Sequence, residues 1–100
     1  MSEREWFVER MRIKLGAWEA AIDQIQANAD HIDPRLSYHY SATILDIISR
    51  VQQVEKTLSI IELSKNDSWQ DLRSRVQGAS DALDARLRQA TSLFLQARTP

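Results

Sequence analysis

Three sets of side chains in this 100-residue chain have the types that chemistry needs. His31, Asp33 and His39 are the metal-ligand types nearest one another in sequence, and Asp81 with Asp84, or Glu19 with Asp23, are carboxylate pairs that share a helix face as a general acid and base could. Trp6, Trp18 and Trp69 could stack on bases or wall a ligand. None of these becomes a site. His31 and His39 straddle a helix break and nothing completes a coordination shell. Carboxylate pairs are ordinary on the solvated face of a coiled coil, and Trp18 and Trp69 fall in apolar seams where burial is the usual outcome. With glycine only at 16 and 78 and no cysteine, there is no phosphate loop, nucleophile turn or thiolate site. The expectation is a protein without catalytic residues, metal or cofactor.

The elements that would position any surface are helices. From Val8, apolar residues recur at Met11, Leu15, Trp18, Ile22, Ile25, Ala29 and Ile32, alternating spacings of three and four, which is a coiled-coil seam. A second seam runs through Tyr40, Ile44, Ile47, Val51, Val54, Leu58 and Ile61, with Tyr38, Leu45 and Ile48 beside its first half. A third reads Trp69, Leu72, Val76, Ala79, Leu83, Arg86, Ala90, Leu93 and Ala97; Arg86 interrupts it, and Leu87 taking over would make a local stutter. Gly78 should weaken this helix unless a large side chain packs across it.

Ser2 with Glu5 has the form of a capping box, and Asp33-Pro34 pairs a preferred N-cap with the residue best suited to a first helical position. Proline within a continuous helix costs about 3 kcal/mol, so a break is expected at 31–33. The polar run Ser64-Lys65-Asn66-Asp67-Ser68 marks a second turn, with Ser68 or Asn66 as cap. The reading is one all-α domain over 1–100, an antiparallel three-helix bundle with helices near 3–30, 34–64 and 68–97 and a fraying tail at Arg98-Thr99-Pro100. A long helix with a returning helix is the second choice. Trp18, Ile22, Ile44, Ile47, Val51, Val54, Leu72 and Val76 should be buried.

Charge bounds the partners. Thirteen basic residues stand against fourteen acidic, without the basic face that nucleic acid requires, and the acidic excess lies in residues 1–33. No apolar run approaches a membrane span and no secretory signal is visible, so a cytoplasmic protein is expected.

Lys14-Leu15-Gly16-Ala17-Trp18-Glu19-Ala20-Ala21-Ile22-Asp23 and the later Trp69-Gln70-Asp71-Leu72 resemble a widespread group of small bacterial coiled-coil proteins of unknown role. Their pattern is K-L-x-x-W-x-x-x-I-D near the start, a tyrosine for which Tyr40 stands here, and W-x-D-L opening the last helix. This chain departs from it at Pro34, and at Val76 and Leu83, where tryptophan is common. The resemblance implies a coiled-coil fold and says little about what the protein does.

One face remains. Opposite the first seam, Trp6, Ile13, Ala20 and Ala27 recur every seven residues with Gly16 and Ala17 beside them. Trp6, Ile13, Gly16, Ala17 and Ala20 then form an interaction surface, for a second copy or an unidentified helical protein. Alternatively Trp6 folds over the bundle end, near Tyr40 or the second turn, and leaves only alanines outside. The functional expectation is a helical interaction or self-association module. Its alternative is a protein whose amphipathic helices lie on a lipid or granule surface. Interfacial helices concentrate Lys and Arg on their polar face, whereas both signs alternate here.

Overall fold

The computed structural model describes residues 2–65 and 67–95. Three long helices carry the fold: α1 (Glu3–Ala27), α2 (Ser37–Leu63) and α3 (Trp69–Phe94). They form a three-helix bundle in which each helix packs on both others. At 1.5 Å per residue, helices of 25, 27 and 26 residues are each roughly 40 Å long.

The side-chain pairs between helices give the directions. Glu3 with Arg73 and Lys14 with Asp84 keep a constant offset, so α1 and α3 run parallel. Asp46 with Arg86 and Tyr40 with Phe94 keep a nearly constant sum, so α2 runs against α3. Arg12 reaching Glu62 ties the start of α1 to the end of α2. The topology is up-down-up.

Local chemistry explains the boundaries. Ser2 caps α1 by accepting the Glu5 N–H at 3.1 Å, and its hydroxyl donates to the Glu5 carboxylate rather than Glu5 reaching back to the backbone. The first helix stops at Ala27, earlier than expected. Asn28 turns its side chain back to donate to the Gln24 carbonyl at 2.8 Å, and a 3-10 turn over Ala29–His31 follows. Ile32 is extended, and the Asp33 carboxylate then accepts the Arg35 N–H, capping a 3-10 turn over Pro34–Leu36 that runs into α2. The break thus covers 28–33, and residues 34–36 turn more tightly than an α-helix. At the second turn Gln70 N–H donates to the Asp67 carbonyl. The Asn66 cap, the last residues of the helix expected to 97, and the expected fraying tail lie outside the described residues.

The three seams meet in one apolar cluster containing Trp18, Ile25, Ile47, Val54, Leu58, Ile61, Val76 and Leu83. In α1 and α2 the expected seams line it from Val8 to Ile25 and from Ile44 to Ile61, with Phe7 and Thr43 added, while Ile32 and Tyr40 are only half-buried against it and Ala29 falls in the 3-10 turn. In α3 the seam differs from expectation. Its buried positions are Trp69, Val76, Ser80, Leu83, Leu87, Ala90 and Phe94, while Leu72, Ala79 and Leu93 are only half-buried. With Arg73 included, the spacings alternate four and three throughout, and there is no stutter. Arg73 fits a seam because its guanidinium lies 5.5 Å and 5.6 Å from the ring centroids of Phe7 and Trp69 while pairing with Glu3. Gly78 is not overlain: a Cβ there would meet nothing within 4 Å.

Candidate functional site

The candidate groups for chemistry are bonded to neighbours, apart, or exposed to solvent. Both Asp33 carboxylate oxygens are engaged by Arg35, whose side-chain hydrogen bonds hold the Asp33 carboxyl below the usual range. His31 is exposed in the 3-10 turn, and the exposed His39 sets its ring 5.8 Å from that of Phe94. Among the described residues no group of three His, Cys, Asp or Glu could hold a metal ion. Asp81 is exposed, as are Glu19 and Asp23.

Asp84 is instead a packing residue. One oxygen accepts from the buried Trp18 indole Nε1 at 2.9 Å and the other from Lys14 Nζ at 2.7 Å. Burial pushes this carboxyl up, but the Lys14 and Trp18 hydrogen bonds, with the charges of Lys14 and Arg88, outweigh it and hold it below the usual range. Trp18 and Trp69 are both core residues, at 3 % and 5 % exposure, so neither is free to stack on a ligand.

What remains is the outward face of α1. Because Phe7, Val8, Met11, Leu15, Trp18, Ile22 and Ile25 point into the bundle, the helical period turns Glu9, Ile13, Gly16, Ala17, Ala20, Gln24 and Ala27 to solvent, and all of these are exposed. Ile13 is 70 % exposed and Trp6 46 %. Trp6 does not fold over toward Tyr40, whose ring packs edge-on against Phe94 at the far end of the bundle. It lies at the mouth of a cleft of about 180 Å³ between α1 and α3, with the Arg10 guanidinium 4.7 Å from its ring. Ile13 borders a wider groove of about 620 Å³ between α1 and the end of α2, rimmed by Arg4, Glu5, Glu9, Arg12 and Glu62. The five expected surface residues therefore share one helix face, with Trp6 leaning toward α3 and Ile13 beside the groove to α2.

Gly16 leaves this face unobstructed, since a Cβ there would meet nothing within 4 Å. Its charges are also polarised along the helix axis. Arg4, Arg10, Arg12 and Lys14, all the basic residues of α1, stand in its first half beside Glu3, Glu5 and Glu9, whereas from Leu15 to Ala27 there are Glu19 and Asp23 with no Lys or Arg.

Sequence reasoning missed further exposed apolar residues on α2, namely Ile60 and Leu63 near its end. Their signal was present, since neither falls in the α2 seam. Tyr38 and Leu45, expected to widen the apolar face toward a neighbouring helix, are instead 87 % and 68 % exposed. Among the described residues no helix is long and apolar enough to cross a membrane. The chain matches no family model, no curated protein and no solved structure.

Proposed function

We propose that this protein is a non-catalytic helical module whose activity is association, and that the outward face of α1 carries it, with a second copy of the chain as its partner. The observation that supports the reading is Ile13, a large aliphatic side chain 70 % exposed in the middle of a helix whose inward seam is already covered. Trp6 adds an aromatic anchor of the kind that dominates interfaces, and Gly16, Ala17 and Ala20 allow a close backbone approach. A self-complementary patch of this kind gives a two-fold dimer. A cytoplasmic setting goes with it, because the chain has no cysteine and needs no oxidising compartment.

Sedimentation of the wild type beside Ile13→Glu tests the proposal at tens of micromolar, roughly −6 kcal/mol of association. The wild type should sediment as an oligomer and the variant as a monomer with its helical signal intact, since an exposed site tolerates the charge. A monomeric wild type overturns self-association. The lipid-surface reading is tested by co-sedimentation with anionic vesicles. The mixed charges around the α1–α2 groove speak against it, and the protein should stay in the supernatant.

A further inference from the structure

Resting on the self-association reading, we infer that the dimer is antiparallel along α1, with its two-fold axis between Gly16 and Ala17. The large and small residues of the outward face are divided between the two halves of the helix. Trp6 and Ile13 stand in the first half, and Ala20 and Ala27 continue the same seven-residue repeat in the second. Turning a second copy end for end, so that facing positions sum to 33, sets Trp6 over Ala27, Ile13 over Ala20 and Glu9 over Gln24, and brings Gly16 against Ala17. Each large apolar side chain then faces a small one, and Gly16 and Ala17 fall at the axis, where the backbones come closest. A parallel pair would stack Trp6 on Trp6 and Ala27 on Ala27, so the two helices would have to splay apart at the Trp6 end and lose the continuous contact that the antiparallel pair keeps.

Charge selects the same arrangement independently. A parallel pair aligns the second half of α1, Leu15 to Ala27, which carries Glu19 and Asp23 and no Lys or Arg, with its own copy. The antiparallel pair lays it against the half in which Arg4, Arg10, Arg12 and Lys14 outnumber Glu3, Glu5 and Glu9, and on one flank the exposed Arg12, paired with Glu62 of its own chain, comes beside Glu19 and Asp23 of the other copy. The outward face of α2 also exposes large apolar residues, Tyr38, Leu45, Ile60 and Leu63, but the exposed polar residues Gln52, Lys56 and Ser59 divide them into two separate ends. Tyr38 and Leu45 stand seven apart there, but the repeat continues as Gln52 and Ser59, whereas on α1 it is apolar from Trp6 to Ala27.

The chain contains no cysteine, so single cysteines report the geometry directly. A disulfide needs Cα atoms within about 7 Å. In the antiparallel dimer two copies of residue 16 lie within that reach, while two copies of residue 9, or of residue 24, lie roughly 22 Å apart along the axis. Under mild oxidation of the full chain, Gly16→Cys alone should cross-link. Glu9→Cys alone and Gln24→Cys alone should not, and an equimolar mixture of the two should give on the order of tenfold more cross-linked dimer than either alone. Self-cross-linking of Glu9→Cys and Gln24→Cys would establish a parallel pair and overturn the inference. A wild type that sediments as a dimer while none of these variants cross-links also overturns it, because the contact then lies on another face. A monomeric wild type removes the self-association reading beneath it, so the two failures are distinguishable.

Discussion

Replacing Asp84 by alanine should destabilise the bundle measurably. The Trp18 residue is 3 % exposed and its indole N–H donates to Asp84 Oδ1 at 2.9 Å. Truncation takes away a charged acceptor, whose hydrogen bond is worth about 1.5–3 kcal/mol, and strands a donor inside the α1–α3 packing. The second partner contributes less. Lys14 and Asp84 are 38 % and 31 % exposed at the side chain, so solvent screening limits that pair to about 0–1 kcal/mol. The expected loss for Asp84→Ala is therefore about 2–3 kcal/mol, or roughly 10–20 °C in Tm for a domain of this size. Lys14→Met should cost under about 1 kcal/mol. Urea unfolding followed by circular dichroism at 222 nm measures both, and a cycle with Trp18→Phe isolates the hydrogen bond, with an expected coupling of about 1–2 kcal/mol. An Asp84→Ala variant within about 0.5 kcal/mol of wild type, or additive effects in the cycle, would refute the assignment of Asp84 as the acceptor that holds Trp18.

Ile47 is fully buried where all three helices meet, so Ile47→Ala should cost about 2–5 kcal/mol in the same urea titration. Gly78→Ala should stabilise by about 0.5–1 kcal/mol, because its Cβ meets nothing and alanine restricts the unfolded chain; a loss would show that the site is closely approached after all. Stability should fall in acid and stay level between pH 5.5 and 7.5. Asp46, through its hydrogen bonds to Arg50 and then Arg86, and Asp84 have folded-state carboxyls held below their unfolded values. Their contribution is complete above the unfolded value of about 4 and is lost as pH falls through the folded ones. Asp84→Asn should flatten that acid limb, and a cooperative loss of helix between pH 7.5 and 5.5 would contradict the scheme.

The helices and their order were legible because the information is local. A residue's preference for a seam, a cap or a break depends on its neighbours along the chain: Ser2 caps Glu5, and Asp33-Pro34 cannot continue a helix because proline lacks the N–H and crowds the turn before it. The outward stripe on α1 was legible for the same reason, as a seven-residue period left over once the inward seam is assigned. The seam of α3 was not. Whether Arg73 or Leu72, and Ser80 or Ala79, turns inward depends on what receives the polar atoms, and for Arg73 that is two aromatic rings and a carboxylate, all but Trp69 supplied by α1. Asp84 looked like a solvated carboxylate for want of the same knowledge, since its donors lie about seventy positions away in α1. Local backbone preference is written in adjacent residues, but the cost of burying a polar group is set by partners that only the folded chain brings within 3 Å.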